Sequence, residues 1–403
     1  MPSTPPPGDP APADGSLPAD RLIGAESRPL SAYVHVPYCS SRCGYCDFNT
    51  YTAAELGAEP GSGQDAYLAA ARAEFVLAGR VLGPREPLQT VFFGGGTPTL
   101  LPAAELAGLL DGLRETFGFA EDCEVTTEAN PESVDQAYLE TLRAAGFTRI
   151  SLGMQSAVPS VLQVLERRHT PGRVAQVVGW ARAAGFESIS LDLIYANPHE
   201  TLDQWRTSVE AALELEPDHL SAYSLIVEPG TRLAARIGRG ELPLPDSDQQ
   251  ADCYLIADEA FTAAGLANYE VSNWARPGHE ARHNLAYWRS DDWWGFGPGA
   301  HSHVNGVRWW NLRHPAAYTA KLAAASSPAQ AREILTADER RVERVLLELR
   351  LSDGLPLDVL TASEVARLPE LAAAGFLEVT ERFLRFSRSG RLLADGVIRS
   401  LLD

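Results

Sequence analysis

Positive charge, cysteine and long apolar runs are all scarce in this chain. Against 53 Asp and Glu residues stand 34 Lys and Arg, a formal net charge of −19, and this excess of acid argues against a phosphate-backbone ligand, so no nucleic-acid partner is expected. No run of about 18 apolar residues occurs, so no membrane-spanning helix is expected. The opening residues lack an apolar stretch behind a basic start, so they do not read as a secretory leader. Cysteines number five in 403 residues, which excludes a disulfide scaffold and points to a reducing, cytoplasmic setting. What remains is 45% hydrophobic and 22% charged, able to bury a large core, with room for one large domain and one or two small ones.

Three of the five cysteines, Cys39, Cys43 and Cys46, fall within SAYVHVPYCSSRCGYCDFNTY. The residues around Tyr33, Val34 and Val36 read as a short strand that Pro37 stops, which puts all three thiols on one loop. Three thiolates make a soft-metal site, whereas a closed zinc or ordinary iron–sulfur site takes four protein ligands. Cys123 and Cys253 are far along the chain, so one coordination position is left open. Two fillings remain at this point: an iron–sulfur cluster with an open fourth position, or a zinc ion completed by His35.

Residues 1–28 are rich in Pro, Ala, Asp, Ser and Gly and read as a disordered tail. From Ser31 short apolar runs alternate with amphipathic segments. Strands are expected at 31–36, 88–93, 123–128, 149–154, 188–193 and 219–226, with helices at 64–82, 103–117, 134–145, 160–167, 173–184 and 202–215 between them. Such alternation predicts an α/β fold, a parallel sheet in a partial (β/α)6 TIM-like barrel whose chemistry lies at the C-terminal strand ends. The polar residues cluster there: Gly94 to Thr97 after the second strand, Glu128 ending the third, Gln155 ending the fourth, and Asp192 in the fifth. Arg167 follows in the next helix and could pair with a carboxylate, with Arg168 as its rival.

The runs YVHVPYCSSRCGYCDF, FFGGGTPTLL, TTEANPES, RISLGMQS, LERRHT and DLIYANP, in this order and spacing, resemble the radical S-adenosylmethionine (SAM) family. Within it they are similar to the branch that holds the oxygen-independent coproporphyrinogen III dehydrogenases (HemN) and the HemW-like haem chaperones. The resemblance spans about residues 30–400. It implies a [4Fe-4S] cluster on Cys39, Cys43 and Cys46, and SAM contacts at Tyr33, Gly95, Gly96, Thr97, Glu128, Gln155, Arg167 and Asp192. An electron donor to the cluster is implied too, since cleavage of SAM to a deoxyadenosyl radical needs one electron. One departure stands out: Ala196-Asn197-Pro198 occupies the place where the family usually has Gly-Leu-Pro.

Beyond Val227, six of the eight tryptophans and four histidines crowd into residues 274–310, either sealing a domain junction or facing a flat apolar ligand. Residues 331–403 read as helix, helix, hairpin and helix, an α+β winged-helix-like module. The expected organisation is a tail (1–28), a radical SAM barrel (29–245), a Trp/His-rich extension and junction (246–330) and the C-terminal domain. Two features separate the branches. The dehydrogenases carry a further cysteine two residues after the third and a folded N-terminal extension, whereas here Asp47 and Phe48 follow Cys46. The run HNLAYW fits the HNxxYW motif of the HemW-like branch, which implies haem as ligand, His283 as its axial ligand with His301 as a rival, and haem-acceptor proteins as partners. Peripheral contact with membrane-bound acceptors is compatible with that reading.

Overall fold

The computed structural model of the chain describes residues 7–167, 170 and 172–403. Six parallel strands form its centre: β1 (Leu30–Val36), β2 (Leu88–Gly95), β3 (Phe119–Ala129), β4 (Arg149–Gln155), β5 (Ser188–Tyr195) and β6 (His219–Ser224), hydrogen-bonded in that order. Helices of the crossovers cover the outer face. All seven residues of β4 are buried, as a parallel strand covered on both faces demands. Helices Gln136–Ala145 and Arg173–Ala184 stop at Gly146 and Gly185, whose left-handed backbone turns the chain back into β4 and β5. The expected alternation is present, with boundaries moved by a few residues. Asp135, for example, caps its helix by accepting from the Tyr138 N–H, so the helix starts at Gln136.

The sheet continues past both edges of the half-barrel. Beyond β6 lies the hairpin β7 (Ala267–Glu270) and β8 (Asn273–Ala275), with β8 antiparallel to β6. Beyond β1 lies β9 (Asp292–Phe296), parallel to it, then β10 (His301–Val304), β11 (Val307–Asn311) and β12 (Ala329–Ile334) in an antiparallel run. The tryptophans of this stretch are mostly core. Trp294 and Trp309 meet edge to face at 4.7 Å, and Trp274 packs on Phe261 at 5.3 Å. They seal the extension rather than offering a flat apolar face.

The disordered reading of residues 1–28 is corrected for those from 7 onward. Asp9 and Pro10 pair with Arg332 and Ala331 on the edge of β12. The Ser327 N–H donates to the Ala13 carbonyl at 2.7 Å, and Arg21 donates to the carbonyls of Asn305 and Leu335. Composition missed this because much of what orders the segment is backbone hydrogen bonding to a sheet edge, with Leu17, Leu22 and Ala25 supplying the little apolar burial it has. Where it ends, the buried carboxylate of Asp292 is held between Arg28 (2.9 Å) and Arg85 (3.0 Å), fastening the tail, the approach to β2 and β9 together.

The C-terminal segment forms a three-stranded sheet (Leu355–Pro356, Phe383–Phe386, Leu377–Val379) packed with helices Ala337–Glu348, Ala362–Ala373 and Ala394–Leu402 around its own core. This matches the winged-helix-like expectation, except that the last helix is broken at Leu393. The module docks through Asp258, 5% exposed, whose carboxylate accepts from Arg388 (2.7 Å) and Trp274 (3.0 Å). Removing it leaves the buried Trp274 indole N–H unpaired and takes the anion from Arg388 and Arg391, so Asp258→Ala is expected to cost about 1.5–3 kcal/mol in urea unfolding, with the C-terminal module loosening first.

Candidate functional site

Backbone pairing builds the cysteine loop before any side chain acts. The N–H of Cys39 donates to the Tyr51 carbonyl (2.9 Å) and that of Tyr51 to Pro37 (2.7 Å), closing the loop at its base. The N–H groups of Gly96 and Thr97 donate to Val36 and Tyr38 (both 2.8 Å), tying the glycine turn to the start of the loop. Gly96 must be glycine, because a Cβ would stand 2.4 Å from the Tyr38 carbonyl oxygen. The far side is held by helix Arg232–Gly238, which sequence periodicity had not separated from a linker. Leu233 N–H donates to the Gly44 carbonyl at 2.8 Å, and Arg232 pairs with Glu166 at 2.7 Å.

A cavity of about 730 Å³ opens at this mouth. Ten of the twelve residues singled out from sequence line it: Cys39, Cys43, Cys46, Gly95, Gly96, Thr97, Glu128, Gln155, Arg167 and Asp192. Glu128 accepts from the Gly95 N–H at 3.1 Å, and Asp192 accepts from the Ser151 hydroxyl at 3.0 and 3.1 Å. Arg167 reaches across to donate to the Gly153 carbonyl at 3.1 Å and lies 3.6 Å from the Cys43 sulfur. Gln155 sits at φ 65°, a strained backbone of the kind that gathers at functional rims. Arg168 lies outside the described residues.

The surroundings of His35 bear on the two metal readings. His35 is not free to complete a zinc site, since its ring nitrogens engage the Tyr33 hydroxyl (3.0 Å) and the Asn49 carbonyl (2.9 Å). Burial raises the Cys39 thiol and pushes Cys46 up to about 11, so metal loading has to displace protons from them. Cys123 and Cys253 are buried elsewhere in the fold.

Tyr33 and His283 do not line the cavity. Tyr33 stacks on Phe92 and holds His35. His283, expected as a haem ligand, is enclosed by its surroundings. It is 1% exposed, its Nδ1 meets the Thr90 hydroxyl and its Nε2 the Tyr287 hydroxyl, each at 2.7 Å, and burial lowers its pKa to about 3. Both ring nitrogens are spent inside the barrel. The spacing of His283 and Tyr287, four apart on one helix face, does bring them together, but onto each other.

The loop after β5 keeps the shape its usual glycine would give it. Ala196 adopts φ 58°, while the Asn197 amide donates to the Ile194 carbonyl at 2.8 Å. An L-residue in this region carries a steric cost of about 1–2 kcal/mol. Ala196→Gly is therefore expected to leave the fold intact and raise the thermal midpoint slightly, whereas Ala196→Val should lower it.

A parallel half-barrel with three cysteines at an open mouth is the architecture of a radical SAM protein, and the family described as "Radical SAM superfamily" matches residues 33–212. The chain is 51% identical over 381 residues to "Heme chaperone HemW" of Mycobacterium tuberculosis (strain CDC 1551 / Oshkosh), covering 94% of this chain and 97% of that protein. It is 35% identical to the Bacillus subtilis (strain 168) protein of that name (92% and 99% covered), and 32% to the Escherichia coli (strain K12) one (93% and 98%). Among solved structures, E. coli coproporphyrinogen III oxidase (HemN), described as a radical SAM enzyme, superposes with a TM-score of 0.81 at 26% identity, covering 95% of this chain and 92% of that one. The chain belongs to the HemW family.

The electrostatics of the cavity yield a pH test. Burial, with Asp192 close by, pushes Glu128 from 4.5 up to about 8, against the lowering effect of the Gly95 N–H. The folded chain thus keeps a proton that the unfolded chain releases. The stability it confers is complete below about pH 4.5 and is lost as pH rises towards 8. Glu74, buried among Tyr318, Asn311 and the Gly297 N–H and pushed up to about 7, acts in the same direction. Glu128→Gln is expected to flatten part of that fall when the unfolding midpoint of ligand-free protein is followed from pH 5 to 8, leaving the part that belongs to Glu74.

Proposed function

We propose that this protein is a haem chaperone that binds haem, passes it to acceptor proteins and carries a [4Fe-4S] cluster together with SAM. The observation that carries this reading is the near full-length match to proteins named for that role. The place two residues after Cys46 supports it, being taken by Phe48 rather than the further cysteine expected of the dehydrogenases. Cys39, Cys43 and Cys46 would hold the cluster, and Gly95 to Thr97, Glu128, Gln155, Arg167 and Asp192 would surround SAM. A bound cluster would leave one iron open to SAM and supply the electron for its cleavage, drawn from a donor protein. The side chains prepare the mouth for this: Arg167 brings positive charge to the cysteine loop, while Glu128 and Asp192 offer acceptors for hydroxyl and ammonium groups.

For the haem iron we propose His301 as ligand. It is exposed, stacks on Trp310 at 5.8 Å, and its ring nitrogens have no hydrogen-bond partner among the described residues. Among those residues no helix is long and apolar enough to cross a membrane, and a cytoplasmic setting with peripheral access to membrane acceptors fits the reading.

Anaerobic reconstitution should give an oxygen-labile cluster that Cys39→Ala, Cys43→Ala, Cys46→Ala abolishes and that Cys123→Ala and Cys253→Ala leave in place. Iron content and absorbance read the result, and iron retained by the triple variant would sink the assignment. Haem titration followed at the Soret band should saturate in wild type and weaken at least tenfold in His301→Ala, with the fold checked by circular dichroism. His283→Ala should still bind haem but lose about 2–4 kcal/mol of stability, since it leaves a cavity and takes the partner from the Tyr287 hydroxyl, while that of Thr90 keeps Ser31. Absence of saturable haem binding, with conversion of coproporphyrinogen III in its place, would move the assignment to the activity named for HemN.

A further inference from the structure

The interior of the half-barrel is hollow and polar where barrels are ordinarily packed with branched apolar side chains. The positions that face inward alternate along each strand: Ser151 on β4 and Ser190 on β5 stand at one level beside His219 on β6, and Ser221 stands two residues higher, opposite Asp192. Small hydroxyl residues at that level leave a shaft, so the cavity runs from the cysteine loop down to the starts of the strands. Helix Arg282–Trp288 lies at this lower end, where Asn284 joins the lining.

Arg149 stands at the bottom. It is the first residue of β4, four residues below Gly153 and so about 13 Å down the strand from the level that Arg167 touches. It is 3% exposed. Its Nη1 donates to the Ser188 hydroxyl and the His279 carbonyl, both at 2.8 Å, while Nη2 is buried without any partner. No carboxylate is in ion-pair contact with it among the described residues. The contrast with Arg85, equally buried but paired with Asp292 at 3.0 Å, is direct. Beside Arg149, on β3, the buried Thr126 hydroxyl is also unpartnered, while higher in the shaft Asp192 has its oxygens occupied by Ser151. A guanidinium out of water with no carboxylate in contact, and only Asp192 acting on it from higher in the shaft, is costly, and an anion at contact distance is what such a site lacks.

We propose that the barrel floor is a second binding site, an anion seat in which Nη2 of Arg149 receives the carboxylate of a small molecule, separate from the mouth where the cysteines and Arg167 stand. The serine level sets its size: a slender carboxylate passes, a bulky one does not. The seat does not depend on the haem reading, so either can fail alone.

The test uses the full chain and trifluoroacetate as probe, with binding read from 19F relaxation. Wild type should show one saturable site that acetate displaces and acetamide does not. Arg149→Gln should weaken it at least tenfold, and so should Ser190→Leu, which fills the shaft two residues above the level of Arg149 and serves if Arg149→Gln folds poorly, with circular dichroism checking that the lost Ser190–His219 hydrogen bond leaves the fold intact. Arg167→Gln and the triple cysteine-to-alanine variant should bind as wild type does. Loss of the probe in either of these mouth variants, persistence in Arg149→Gln or Ser190→Leu, displacement by acetamide, or no saturable site in wild type would each overturn the proposal.

Discussion

A parallel sheet that curls through only part of a barrel has two open edges, and the backbone groups along them have to be satisfied by something else in the chain. Nearly every segment outside the six-stranded centre answers to that requirement. The β7–β8 hairpin covers β6 on one side, while β9 to β12 and then Asp9–Pro10 cover β1 on the other. The Trp-rich stretch follows from the same need. A sheet extension wide enough to carry four more strands needs its own packing, and the indoles of Trp294 and Trp309 provide it. Asp292 then joins the two ends of the arrangement, since its carboxylate is shared by an arginine from the tail and one from the approach to β2.

Within this frame the site has two storeys with opposite electrostatic character. At the mouth, burial pushes the Glu128 carboxyl up to about 8 and raises that of Asp192, and three thiols stand on a loop fastened by backbone bonds to the glycine turn. At the floor a guanidinium is short of an anion. The serines between them on β4, β5 and β6 are too small to close the passage.

The half-barrel and its mouth were legible in the sequence because glycine or polar residues gather towards the ends of β2 to β5 after apolar runs, and chemistry in parallel barrels collects at those ends. Other features were hidden for identifiable reasons. The tail reads as disordered because what orders it is a strand edge more than 300 residues away, which composition cannot register. The enclosure of His283 was hidden because its motif shows the residue type and helical spacing but not that Thr90, on a distant strand, takes its other nitrogen. Arg149 drew no notice because a strand that begins with arginine normally places it in solvent. Helix Arg232–Gly238 was missed because seven residues show too little periodicity to stand out.

The placement of β9 beside β1 also sets a schedule for synthesis. Leu30 and Asp292 pair although roughly 260 residues separate them, and at ~5–20 residues per second the ribosome takes roughly 13–50 s to make that stretch. Throughout that interval the outer edge of the first strand hangs open on the nascent chain. The segment that precedes it ends in Arg28, which then has no aspartate to hold. The emerging half-barrel is thus a template in waiting, and its most aggregation-prone moment comes before the tryptophan-rich third quarter leaves the exit tunnel.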